Sequence, residues 1–161
     1  MHTFEYLLLS FILIFISSAQ ADTVANTNSN AKAATGEYIS WKEHRIDDSE
    51  LGKIDLSGSD GLAMADLDLD GYEDIVSVHE ADTVYDGKLV GQVRIAWGSA
   101  DPMRWQLTTL AFGEEVAAAE DVTIADANGD GYPDIVVAAE LEHLIYFANP
   151  GKNAQTTEWE R

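Results

Sequence analysis

Apart from one long apolar stretch near the start, residues 7–16, the hydrophobic positions of this chain fall in short runs. Runs at 38–46, 62–65, 75–79, 92–97, 105–112, 122–125, 135–139 and 144–148 are rich in aliphatic and aromatic residues, and 157–161 opens another around Trp159. Asp86-Gly87, Gly98-Ser99, Asp101-Pro102 and Asn149-Pro150-Gly151 punctuate them. Short runs bounded by turn residues, without helical spacing, predict strands in an all-β fold. The order also repeats: strand, acidic turn, second strand, third strand, Trp-bearing outer strand, then a restart at residue 122. Residues 37–161 therefore predict about two four-stranded antiparallel sheets, the second incomplete at its C-terminal side.

The acidic turns are the most informative part of the pattern. Asp66-Leu67-Asp68-Leu69-Asp70-Gly71-Tyr72-Glu73-Asp74 and Asp126-Ala127-Asn128-Gly129-Asp130-Gly131-Tyr132-Pro133-Asp134 are near-copies, and Asp66 to Asp126 is the same 60-residue step as Asp74 to Asp134. Oxygen side chains stand at every second position, then a glycine, then one more aspartate. This is the layout of a calcium loop: a hard cation takes about six to eight oxygens, supplied from alternating positions and a backbone carbonyl. An EF-hand would need a bidentate Glu at the twelfth position, where Ser77 and Val137 stand, and flanking helices in place of strands. Turn chemistry alone accounts for Asp-Gly but not for the spaced acids around it.

With those loops, the Asp-Ile-Val that follows each and the Trp-bearing outer strands, residues 38–161 resemble FG-GAP/VCBS-type repeats, known from integrin α-subunit heads and from secreted bacterial proteins. Phe112-Gly113 is the lone Phe-Gly pair, which favours the VCBS-like branch. The resemblance implies a partial β-propeller whose calcium loops join the first strand of each blade to the second. It implies two Ca2+ sites: Asp66, Asp68, Asp70, Asp74 and the Tyr72 carbonyl in one, and Asp126, Asn128, Asp130, Asp134 and the Tyr132 carbonyl in the other. The residue chemistry agrees, because carboxylates crowded this closely repel one another unless a cation lies among them. A propeller closes with roughly four to eight blades, so further blades or other copies are expected to complete a ring. A strand around Trp41 is a candidate to join the last blade.

Composition narrows the partners. A formal net charge of −20 argues against nucleic acid and anionic membrane surfaces and favours cations, basic partners or neutral sugars. The absence of cysteine excludes disulfides, thiolate metal sites and a cysteine nucleophile. The apolar run at 7–16 followed by Ala19-Gln20-Ala21 reads as a signal peptide over 1–21, cleaved after Ala21, with a secreted or periplasmic product; the run is too short for a stable membrane span. Residues 22–36, rich in Ala, Asn and Thr, read as a flexible linker.

Leu62, Met64, Ile75, Val76, Ile124, Ile135 and Val136 are the expected core between blades, and Tyr72 and Tyr132 are expected to shield the loops or pack at a blade edge. Trp41, Trp105 and Trp159 are expected to pack blade on blade rather than to form sugar platforms. Asp60, Glu80, Glu120 and Glu140 repeat at the same 60-residue step and should meet at the end opposite the acidic loops, as a solvated rim or as a ring around a central ligand. His44, His79 and His143 lack metal-ligand spacing, and no catalytic triad, nucleophile elbow or phosphate loop is visible. The expected role is a binding or adhesion module for carbohydrate or protein, using blade faces and the connection at 81–91. The alternatives are a fragment of a secreted propeller enzyme such as a polysaccharide lyase, and a plain scaffold.

Overall fold

The computed structural model describes residues 27–56, 58–80, 90–140 and 143–161. The expected signal peptide, residues 22–26 of the linker and residues 81–89 of the long connection lie outside the described residues. Among the described residues, no helix is long and apolar enough to cross a membrane.

The fold is all-β and antiparallel. A four-stranded sheet runs in sequence order through β3 (Gly58–Ala65), β4 (Asp74–Glu80), β5 (Gly91–Trp97) and β6 (Gln106–Gly113). A three-stranded sheet follows with β7 (Ala119–Ala125), β8 (Asp134–Ala139) and β9 (His143–Phe147). The expected outer strand at 157–161 contributes a single bridge, Ala148 to Glu160, against the end of β9. Both first hairpins share one register: Met64 pairs with Ile75 as Ile124 pairs with Ile135. The architecture is that of a partial propeller, one sheet complete and one nearly so. A separate hairpin of β1 (Thr27–Lys32) and β2 (Tyr38–Trp41) precedes them. Residues read as linker thus form β1, and the Trp41 strand pairs with β1 rather than with a blade.

The two sheets pack face to face, with β3 and β4 against β7. Gly61 lies at the crossing, where a Cβ would come 2.7 Å from the Asp121 Cα, so a side chain there would force the sheets apart. The shared core contains Val76, Val78, Val93, Ile95 and Trp97 from the first sheet and Ile135, Val137, Ile145 and Phe147 from the second, closed by Leu67 and Trp159. Of the residues expected there, Val76 and Ile135 are fully buried. Ile75, Ile124 and Val136 are half-buried, while Leu62 and Met64 are exposed. The reason is strand parity. Successive side chains leave a strand on opposite faces, and two sheets share only one interface, so Leu62, Met64 and Ile75 point to the far side of the first sheet and Val136 to the far side of the second.

That far side of the first sheet is polar at its centre, and residues 43–56 lie across it. Arg94 reaches Asp47 with two bonds, Nε–Oδ2 at 2.7 Å and Nη2–Oδ1 at 3.0 Å, and its Nη1 donates to Thr109 Oγ1. Gln92 Nε2 donates to the Asp55 carbonyl at 2.7 Å. The single-turn α1 (Ser49–Gly52) sits within this strap, capped by Asp48, whose Oδ1 accepts from Glu50 N and Leu51 N. In the second sheet, the positions matching Ser77 and Arg94 are Val137 and Ile145, which face the core. A polar face thus meets a polar cover, and its apolar counterpart meets another sheet.

Candidate metal centre

Each acidic loop is a turn tightened by its own carboxylates. In the first, Asp66 Oδ1 accepts from Asp70 N at 3.0 Å and Asp66 Oδ2 from Gly71 N at 2.9 Å, while Asp70 Oδ1 accepts from Tyr72 N. In the second, Asp126 accepts from Gly129 N, Asp130 N and Gly131 N, and Asp130 Oδ1 from Tyr132 N. Gly71 and Gly131 have φ of 94° and 93°, the left-handed turn that brings the last aspartate round. Leu69 adopts φ 60° at the position where the second loop has Gly129. A leucine held in that region costs roughly 1–2 kcal/mol, which the loop sustains to keep its acids converging.

The closing aspartates start the second strand of each sheet and are buried, Asp74 at 1% exposure and Asp134 at 0%. Asp74 Oδ2 accepts from Leu67 N and Oδ1 from Gly98 N, both at 2.8 Å. Asp134 Oδ2 accepts from Ala127 N at 3.0 Å and Asn128 N at 3.3 Å, and its Oδ1 from Asn149 N at 2.8 Å. Their affinities for a proton are shifted in opposite directions. Burial, with the nearby Asp68 and Asp70 charges, pushes Asp74 up to about 6 against the two N–H donors. Burial acts the same way on Asp134, but the Asn149 N–H, the Tyr146 hydroxyl and the Ala127 and Asn128 N–H groups outweigh it and hold the carboxyl below its ordinary value.

The two loops gather their ligands unequally. Asp66, Asp68 and Asp74 each present a carboxylate oxygen, all within 4.8 Å of one another. A cation with oxygen bonds of roughly 2.3–2.6 Å can touch all three, so this trio can hold a metal ion. Asp70 is exposed and outside the trio, and Tyr72 is 42% exposed. In the second loop the Asn128 amide binds Asp130 on both sides, with Oδ1 accepting from its N–H and Nδ2 donating to its Oδ2. Among the described residues, no comparable acidic trio forms there. Tyr132 lies against Gly151.

Several residues at the site carry no sequence signal of their own. Gly98 and Asn149 are equivalent, each following the third strand and donating to the buried aspartate, yet Asn149-Pro150-Gly151 reads merely as a turn. Asn149 also donates through Nδ2 to the Leu67 and Pro133 carbonyls, both at 2.8 Å, and so joins the two loops. Gln155 Nε2 donates to Asp68 Oδ2 at 2.6 Å. Of the three tryptophans expected to pack blade on blade, Trp159 is buried in the core, whereas Trp105 is half-buried and Trp41 exposed. The four repeating acids lie at the hairpin ends away from the loops; Asp60 and Glu140 are exposed, Glu80 and Glu120 half-buried.

Comparison with curated proteins and with solved structures finds no match to this chain. A family model does match, over residues 66–137, a stretch that opens on the first acidic loop and closes just past the second. Residues 66–137, with their doubled acidic turns, are thus similar to an FG-GAP-like repeat, the description of the family whose model they match.

Proposed function

We propose that this chain is an exported, calcium-binding segment of β-propeller blades that serves as a binding or adhesion module for a carbohydrate or protein ligand, with the ion in a structural role. The observation that carries the calcium reading is the convergence of Asp66, Asp68 and Asp74 at the turn between β3 and β4. These residues would hold the ion in the first loop, with Asp70 and the Tyr72 carbonyl completing the set the repeat implies. Asp126, Asn128, Asp130, Asp134 and the Tyr132 carbonyl would do so in the second. A bound divalent ion supplies charge neutralisation and ties the two strands of each hairpin together. The ligand reading is supported by a cleft of about 590 Å³ beside the first loop, whose walls include Trp105, Arg104, Gln106, Asp70 and Gln155. An aromatic ring among amides and charged groups suits a sugar or a polar peptide.

Thermal melting tests the calcium reading. Affinity in the extracellular-module range, roughly 10⁻⁴ to 10⁻³ M, predicts a clear rise in melting temperature in about 10 mM calcium relative to EDTA, by mass action on the folded state. Superimposed curves would overturn it.

A pH dependence follows from Asp74. Its folded value of about 6 lies above its ordinary 3.8, so the metal-free fold favours the protonated form, and that stabilisation is lost as pH rises through 6. A cation requires the carboxylate. The calcium-induced gain in melting temperature should therefore be small at pH 5 and large at pH 7.5, and the metal-free protein should melt lower at pH 7.5 than at pH 5 as far as Asp74 governs it. A calcium gain equal at both pH values would contradict this assignment.

A further inference from the structure

We propose that Asn149 couples the two acidic loops, so that a cation bound in the second raises the affinity of the first, and the reverse; this rests on the calcium reading above. Asn149 is 5% exposed, and each of its polar groups on the loop side is engaged. Its backbone N–H holds Asp134 Oδ1 of the second loop, and its Nδ2 holds the Pro133 carbonyl of that loop and the Leu67 carbonyl of the first. Its Oδ1 accepts from Gly151 N at 2.8 Å, which fixes the amide's orientation. Leu67 stands between Asp66 and Asp68, is itself fully buried, and donates its own N–H to Asp74. One residue, Leu67, thus links the Asn149 amide to all three acids of the trio, through its carbonyl, its N–H and its chain neighbours. Gln155, two residues beyond the 3₁₀ turn Gly151–Asn153, adds a second link from the same segment by donating to Asp68.

The direction of coupling follows from ordering. Cation binding at a loop is weakened by whatever conformational entropy its ligands lose when they are fixed. A cation that draws in Asp134 fixes Asn149, and Asn149 fixes the Leu67 carbonyl and with it the residue that links the three acids, so less entropy remains to be lost at the first loop. Linkage makes the effect reciprocal. Asn149 is here a positioning residue, since none of its atoms is placed among the acids of the trio.

Calorimetric titration of the full chain with calcium chloride tests this, using wild type, Asp130→Ala to disable the second loop, Asn149→Ala, and the double variant. Asp130→Ala should lower first-loop affinity about fivefold or more, within the usual span of coupling between sites. In the Asn149→Ala background the same change should have less than a twofold effect. Gln155→Ala, farther from the buried core, should reduce the coupling in part and guards against Asn149→Ala failing to fold; circular dichroism in EDTA checks each variant. Two bound ions with first-loop affinity unchanged by Asp130→Ala would overturn the coupling and leave the calcium reading intact. An absence of binding heat in the wild type would overturn both.

Discussion

Asp47→Ala is expected to destabilise the protein by about 3–5 kcal/mol, read as a lower urea midpoint or melting temperature. The Arg94 side chain is 3% exposed and Asp47 12%, so the pair lies out of water beneath the strap. Removing the carboxylate leaves a guanidinium with one remaining hydrogen-bond partner, Thr109, on a side chain that is only 3% exposed. An unpaired buried charge is far worse than no charge. The double variant Asp47→Ala with Arg94→Met, which removes both charges and keeps most of the volume, should therefore recover most of the loss. A loss below about 1 kcal/mol for the single variant would mean that the strap is held by something other than this pair. Because the strap covers the face that the second sheet's apolar equivalents use to pack, its loosening should also expose Leu62 and Ile75 further, which dye binding would report.

The strands of the two sheets were legible in the sequence because each run is short, β-rich and closed by a turn; β1 was not, and the run at 38–46 forms a strand only over Tyr38–Trp41. Observed and expected boundaries agree closely at β4, β5, β6, β8 and β9, while β3 and β7 start a few residues earlier than their apolar runs. The acidic loops were legible because their spacing repeats. Which face of each strand is buried was not legible. Leu62-Ala63-Met64-Ala65 offers apolar residues on both sides, and the side with the larger residues is the exposed one, since the close approach at Gly61 leaves room for only small neighbours on the inner side. The role of Asn149 was hidden for a different reason. Its partners Leu67 and Pro133 are backbone carbonyls, which leave no trace in residue identity, and the repeat equivalent, Gly98, has no side chain to suggest one. The strap was hidden because Asp47 and Arg94 are 47 residues apart in the chain and carry no shared pattern.

Asp134→Ala is expected to lower stability by about 2–4 kcal/mol even in EDTA, which separates its role from that of a mere cation ligand. The carboxylate is fully buried and accepts from three backbone N–H groups. Leaving a buried donor without a partner costs about 1–3 kcal/mol; water can reach the loop-side groups, whereas the Asn149 N–H is buried. The sign of its pH dependence is opposite to that of Asp74. A carboxyl held below its ordinary value stabilises the fold above that value, and the contribution is lost as pH falls through the lower folded value. The difference in stability between wild type and Asp134→Ala should thus be constant from pH 7 down to about 5 and shrink only in stronger acid. Asp70→Ala provides the contrast. Asp70 is exposed and its carboxylate caps one N–H, so its removal should change metal-free stability by less than about 0.5 kcal/mol while weakening calcium binding at the first loop. If Asp134→Ala melted like wild type in EDTA, the buried aspartate would be a ligand alone and the hydrogen-bonded frame around Asn149 would not be what holds the second hairpin closed.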